Sequence, residues 1–175
     1  MWTTIAILSA VTLQRLIELY IARRNTARLL EQGGFEVASG HYPLIVALHT
    51  LWIIGLWYFA FRLEVSWPWI FAYLVLEAAR GWIIAALGNR WTTRIIVVPG
   101  ESLVSEGPYK YFRHPNYMIV AGEIFILPMA FGLWWYAFLF AALNGIILYF
   151  RINAEEEALK PLREEAQESS ADESR

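Results

Sequence analysis

Two short blocks of this sequence carry the residue types that chemistry needs. The first is Gly107-Pro108-Tyr109 followed by Arg113-His114-Pro115-Asn116-Tyr117, and it runs straight into an apolar stretch. Proline is favoured in the first turn of a helix. Pro115 therefore sets Arg113 and His114 at a helix mouth, where a cation, a titratable imidazole and unsatisfied backbone N–H groups face one small volume. The second block, Arg151-Ile152-Asn153-Ala154-Glu155-Glu156-Glu157-Ala158-Leu159, leaves another apolar stretch. Its Arg151 and Glu155 are four apart and share a helical face. Taken alone, such a run is a solvated helix end. The segment between the blocks changes that reading. Asn116 to Phe150 holds one acidic residue, Glu123, and no basic one. It is too long for a single crossing of roughly 30 Å of hydrocarbon and is broken near Pro128 and Gly132. A tight hairpin of two helices returns the second block to the membrane face of the first. Ahead of the first block, Gly100 and Gly107-Pro108 mark turns, and the apolar residues between them can make a short strand or hairpin over a cavity.

Other chemistries are poorly supplied. There is no cysteine, hence no thiol nucleophile, disulfide or cysteine-bound metal. His41 and His49 are eight apart, but no His-x-x-His or Glu-x-x-His pattern accompanies them, so no metal site is expected. His49 reads instead as a hydrogen bond between helices. Fourteen Lys plus Arg against 16 Asp plus Glu leave no basic excess to neutralise phosphates, which argues against nucleic acid as a partner.

The elements that position the blocks follow from composition. Hydrophobic residues make up 58% of the 175, aromatic residues 16% and charged residues 17%, against about 25% charged in ordinary soluble domains. Runs of about 20 apolar residues suffice to span a bilayer. The expected architecture is an all-α integral membrane fold of five transmembrane helices, at about 2–21, 43–61, 67–87, 116–128 and 131–150, with a loop ahead of the fourth helix, to which the resemblance given below assigns cofactor binding, and a C-terminal helical hairpin. Residues 1–163 form the single domain and 164–175 a disordered, solvated tail. The first stretch lacks a basic leader and a small-residue cleavage site and contains Arg15 and Glu18, so it is expected to remain in the mature protein. With five crossings, Arg23, Arg24, Arg28, Arg90, Arg94, Lys110, Arg113, Arg151, Lys160, Arg163 and Arg175 fall on one side and Arg62 alone on the other. The positive-inside rule then puts the N-terminus outside and both blocks in the cytoplasm.

Charges within the spans cost at least about 2.5–3.5 kcal/mol each on insertion scales and demand a partner or a function. Arg15 and Glu18, and likewise Glu77 and Arg80, are three apart and can neutralise each other within one helix. Glu123 has no such neighbour. It lies about 9 Å along the helix from Tyr117 at 1.5 Å per residue and is expected to be buried, in or behind a site.

The paired blocks resemble the isoprenylcysteine carboxyl methyltransferase family of integral membrane methyltransferases. The match rests on Gly107-Pro108-Tyr109 with Arg113-His114-Pro115-Asn116-Tyr117, and on Arg151-Ile152 with Glu155-Glu156 and Leu159, across a helical hairpin. In the N-terminal half Gln14-Arg15-Leu16-Ile17-Glu18-Leu19, Arg23-Arg24-Asn25, Gly33-Gly34, His41-Tyr42-Pro43 and Leu48-His49 look like the small bacterial branch, so the resemblance covers all but the tail. It implies S-adenosylmethionine as cofactor, lined by Val98, Leu103, Val104, Tyr109, His114, Pro115, Tyr117 and Glu155, with Glu156 beside them. It assigns catalysis to Arg113, Arg151 and Glu156, the two arginines holding the acceptor oxygen or the cofactor carboxylate. A zwitterionic amino-acid end needs a cation and a carboxylate, and an adenine needs apolar or aromatic walls; both are present. No Gly-x-Gly-x-x-Gly turn offers a competing site.

The implied reaction transfers a methyl group to a carboxylate or phenol oxygen of a lipophilic acceptor, prenylcysteine-like or phenolic, reached from the membrane lipids. The chain lacks the aromatic C-terminal extension of the larger prenylcysteine enzymes, and small bacterial relatives are linked with phenolic or pyrone lipids, which favours the latter acceptors. A carboxylate is already ionised at neutral pH, whereas a phenol, with a pKa near 10, calls for a base or a strong cation; His114, Glu123 and Glu156 are the candidates. Two other readings share these features. A related membrane reductase would need further cations for the 2′-phosphate of NADPH, and a non-enzymatic scaffold would use the same charges to cap helices and bind lipid headgroups.

Overall fold

The computed structural model describes the chain apart from residues 102–103 and 173–175, with side chains through Lys160. Five helices form the body: α1 (Trp2–Glu31), α2 (Tyr42–Ala60), α3 (Trp67–Leu87), α4 (Pro115–Met129) and α5 (Trp134–Asp172). Two short strands, β1 (Phe35–Val37) and β2 (Ile95–Val97), pair antiparallel, with Glu36 opposite Ile96. Four helices are long and apolar enough to cross a membrane, and α4 is apolar but has only 15 residues. At 1.5 Å per residue α4 covers about 22 Å. Pro115 starts it and the left-handed Gly132 (φ 72°) turns the chain behind it, so both ends are set by backbone chemistry.

Hydrogen bonds sort the connections to the two ends of the bundle. At one end Thr4 Oγ1 donates to Leu63 O at 2.7 Å, and Ser66 N–H to Ala130 O at 2.8 Å. The start of α1, the α2–α3 turn and the α4–α5 turn are thereby tied together. At the other end Asn25 of α1 donates to Trp91 O at 2.9 Å, and the strand pair and the α3–α4 loop gather there. The 30 residues of α1 rise about 45 Å, more than the hydrocarbon needs, so its Arg23, Arg24 and Arg28 emerge at that second end. The 39-residue α5 outruns the membrane in the same direction, because Ala, Glu, Leu and Lys after Asn153 are strong helix formers. Its backbone carries the segment expected as a disordered tail as far as Asp172.

The core draws on all five helices, from Leu8 and Val11 of α1 to Trp52, Leu56, Ile124, Leu127 and Tyr136. A Cβ at Gly55 would collide with the Tyr136 hydroxyl, so glycine lets α5 approach α2 closely. That hydroxyl donates to Trp52 O at 2.8 Å.

The charges inside the bundle form one network rather than two intrahelical pairs. Arg15 does reach Glu18 at 2.6 Å, but it also bonds Glu77 at 3.2 Å and Glu123 at 2.8 Å. Arg80 turns away from Glu77. It donates from Nε to Glu123 at 2.6 Å, from one amino group to the second Glu123 oxygen, and from the other to Glu18 at 3.3 Å. Gln14 bridges Glu18 and Glu77. The expected Glu77–Arg80 pair is thus replaced by crossed pairs between α1, α3 and α4, in which Arg80 meets both oxygens of Glu123, the two-pronged geometry that makes an arginine–carboxylate contact strong. Glu123 is 2% exposed and stands at the centre. His49 also departs from expectation. Its Nδ1 bonds Ile45 O, four residues back in α2, at 2.9 Å, and not another helix.

Candidate active site

The two blocks meet at the end of the bundle where α1, α3 and α5 emerge. Arg151 and Glu155 lie one turn apart on α5, facing Tyr117 in the first turn of α4. The Arg151 Nε donates to the Tyr117 hydroxyl at 2.9 Å, and that hydroxyl donates to Glu155. A terminal amino group of Arg151 donates to Thr93 O at 2.6 Å, in the segment leading into β2. The Tyr117 ring stacks on His114, with centroids 5.7 Å apart and planes 18° from parallel. His114 Nε2 lies 3.0 Å from Glu156, and its Nδ1 is 3.8 Å from Glu155.

These groups border a cavity of about 400 Å³, within the range usual for small-molecule sites. Of the residues singled out from the sequence, Val98, Val104, Tyr109, Arg113, His114, Tyr117, Arg151 and Glu155 line it. Pro115, buried at the start of α4, does not. Glu156 is not part of the cavity wall but bonds His114, which is. Leu103 lies outside the described residues. The wall that sequence reading missed comes from the β2 segment and the end of α3: Leu87, Arg90, Trp91, Thr92, Arg94 and Ile96, with Asn116 from α4. The run of β-branched residues Ile95-Ile96-Val97-Val98 was the available signal for a strand here. Its pairing with β1, which presses it against the site, has no local signature.

The electrostatics of the cavity favour an anionic or zwitterionic occupant. Arg151 is 6% exposed, yet no carboxylate lies within ion-pair distance of it among the described residues. Its nearest counter-charge, Glu155, is reached through the Tyr117 hydroxyl, so the guanidinium keeps the capacity to bind an anion directly. Arg113 is exposed on the cavity rim and likewise makes no ion pair among the described residues. Arg94 and Arg90 are already committed, Arg94 to Glu36 at 2.6 Å and over the Tyr42 ring, Arg90 to Glu101 at 3.1 Å. The hydrogen bond to Glu36 raises the Arg94 pKa, so this cation is permanent. Burial, reinforced by Glu155, pushes the Tyr109 phenol up and keeps it neutral. Three buried polar atoms of residues that line the cavity, Trp91 Nε1, His114 Nδ1 and Asn116 Oδ1, make no hydrogen bond among the described residues. Unpaired buried polar atoms are uncommon.

A family model described as the isoprenylcysteine carboxyl methyltransferase (ICMT) family matches residues 69–161, which contain both blocks and most of the cavity wall. The chain is also 37% identical over 164 residues to "Uncharacterized protein YpbQ" of Bacillus subtilis (strain 168), covering 91% of this chain and 96% of that protein. No solved structure matches.

Proposed function

Because the chain belongs to the isoprenylcysteine carboxyl methyltransferase family, we propose that it is a membrane methyltransferase that uses S-adenosylmethionine and methylates an oxygen, carboxylate or phenol, of a lipophilic acceptor. The observation that carries this reading is the buried Arg151 without a carboxylate partner, set beside an apolar-walled cavity that also holds Glu155. A zwitterionic amino-acid end fits that pairing. The aliphatic wall of Ile96, Val98, Val104 and Leu87 suits a flat adenine, and the unpartnered His114 Nδ1 and Asn116 Oδ1 suit its polar edges or the ribose.

When bound, S-adenosylmethionine supplies a sulfonium methyl group for in-line displacement. Alignment is then the protein's main task, and positioning of this kind is worth roughly 7–11 kcal/mol. Tyr117 fixes Arg151 from one side and Thr93 O from the other, so the guanidinium is held rigid. Glu156 and the Tyr117 ring hold the His114 imidazole in place. Arg113, unpaired at the rim, is the cation left to hold the acceptor oxygen at the membrane surface. An acceptor of that kind reaches the site from the bilayer.

The charge distribution supports an orientation as well. The cavity lies at the bundle end where Arg23, Arg24, Arg28, Arg90 and Arg94 gather, while Arg62 stands at the other. By the positive-inside rule the site is cytoplasmic and the N-terminus outside, and the Bacillus relative suggests a bacterial plasma membrane. The test is thermal unfolding of the purified protein in detergent with S-adenosylhomocysteine, and with NADPH in parallel. A ligand at 100 times its dissociation constant stabilises by about 2.7 kcal/mol. Stabilisation by S-adenosylhomocysteine alone is expected; stabilisation by NADPH alone, or by neither, would refute the cofactor assignment.

A further inference from the structure

The ion network inside the bundle does not balance. Glu18, Glu77 and Glu123 bring three carboxylates to it, Arg15 and Arg80 two guanidiniums. Neither α2 nor the membrane-level part of α5, residues 134–150, holds an Asp, Glu, Lys or Arg. His49 of α2 lies within electrostatic reach of both arginines, but its Nδ1 is held by Ile45 O and it bonds no carboxylate among the described residues. One negative charge is therefore left over at a depth where the surroundings are side chains and hydrocarbon. Charge is expensive there, so the surplus has to be neutralised in place.

The three carboxylates are not equally compensated. Glu123 accepts from Arg15 at 2.8 Å, from Arg80 Nε at 2.6 Å and from an Arg80 amino group. Glu18 accepts from Arg15 at 2.6 Å, from Arg80 at 3.3 Å and from Gln14 at 2.9 Å. Glu77 has a single cationic contact, Arg15 at 3.2 Å, the longest that Arg15 makes to a carboxylate. Its other polar neighbours are neutral: Gln14 Nε2, which donates to it, and the Tyr73 hydroxyl, one turn back in α3. The Glu77 side chain is also the most exposed of the three, at 15% against 11% for Glu18 and 3% for Glu123. It borders an apolar groove of about 420 Å³ between α1 and α3, whose walls include Leu13, Ile17 and Ile84. A charge on Glu77 thus faces hydrocarbon on one side and the least help from cations on the other.

We propose that Glu77 holds a proton in the folded protein, so that the network is neutral and acts as a proton-dependent tie between α1, α3 and α4. The neighbours accommodate it. An un-ionised carboxyl group keeps an oxygen for the Gln14 amide and donates its hydrogen to the Tyr73 hydroxyl. All three helices also reach the candidate active-site cavity, α1 at Leu29, α3 at Leu87 and α4 at Asn116 and Tyr117. The tie therefore sets how those walls stand to one another, and loss of the proton loads it with an unbalanced charge.

Thermal unfolding of the full-length protein in detergent tests it with three variants of the same shape, Glu18→Gln, Glu77→Gln and Glu123→Gln. Glu77→Gln reproduces the un-ionised group, so at neutral pH it should melt at or above the wild-type temperature, whereas the other two should melt below it. The gap between Glu77→Gln and wild type should also widen with pH. On unfolding the wild type releases its proton to solvent, and the variant has none to release. Above the unfolded glutamate pKa of about 4.3, each pH unit should therefore cost the wild type up to about tenfold in its folding equilibrium relative to the variant. Infrared spectra supply a second readout. At about pH 8, where exposed carboxylates are ionised, the wild type should show the C=O stretch of an un-ionised carboxyl group, displaced in D2O and missing from Glu77→Gln. Removing any one carboxylate balances the charge and costs that band, so the placement on Glu77 is read from stability. A Glu77→Gln melting temperature as low as that of Glu123→Gln, a gap that does not change with pH, or no such band in the wild type would each overturn the proposal. So would a wild-type melting temperature that climbs with sodium or potassium concentration against an unchanged Glu77→Gln, which would make the balancing charge a metal cation.

Discussion

Consider replacing Glu123 by methionine. The carboxylate accepts from Arg15 at 2.8 Å and from two nitrogens of Arg80, one of them at 2.6 Å, and is 2% exposed. Its removal leaves two guanidiniums in the bundle with Glu18 and Glu77 only, and strips Arg80 of both bonds to its closest partner. Breaking a buried pair on one side costs about 3–5 kcal/mol. For a chain of this size 1 kcal/mol moves the melting temperature by about 2–4 °C, so a fall of roughly 6–20 °C is expected in detergent, followed by circular dichroism. Arg80→Met should fall by a similar amount, since it strands Glu123 and Glu18 against Arg15. The double variant removes one charge of each sign and puts apolar side chains in their place. Replacing a buried pair by apolar residues is often neutral, so the double variant should be more stable than either single one. A double variant as unstable as the sum of the two singles would refute the argument, because it would mean that the two charges act independently and that the network is not a unit.

Other outcomes follow from the candidate active site. Arg113→Ala should abolish methyl transfer with little change in melting temperature, since the residue is exposed at the cavity rim; a variant of equal activity would remove Arg113 from the proposed role. Arg151→Lys cannot keep both the Tyr117 and Thr93 bonds. Hydrogen bonds to a charged group are worth about 1.5–3 kcal/mol, so S-adenosylhomocysteine should bind at least tenfold more weakly by calorimetry. Burial holds the Tyr109 pKa above its unfolded value, so its contribution to stability is complete below about pH 10 and is lost as pH rises further. Melting scans from pH 8 upward should show a shallower alkaline decline in Tyr109→Phe than in the wild type.

Much of this molecule was legible along the chain. Apolar runs mark the crossings, because hydrocarbon excludes unpaired backbone and charge. Pro128 and Gly132 mark the hairpin, and its return brings Arg151 and Glu155 to Tyr117 and His114. Spacings of three and four residues correctly put Arg15 beside Glu18. What spacing could not decide was partner choice across helices. Arg80 is as near in sequence to Glu77 as Arg15 is to Glu18, yet it pairs with Glu123 and Glu18. That choice depends on how each helix is rotated about its axis, which the packing of Trp52, Leu56, Ile124 and Tyr136 sets. Likewise Trp91 and Arg94 carry no motif. They reach the cavity because β2 pairs with β1, some 58 residues earlier from Arg94 to Glu36, and strand pairing at that distance has no local period to betray it. The residue types that could do chemistry, and the side of the membrane they share, were determined by the sequence alone. Which of them are already paired, which are held at a cavity wall, and where the bundle leaves cavities were decided only by the tertiary structure, because charge pairing across helices and empty space are properties of the packed whole.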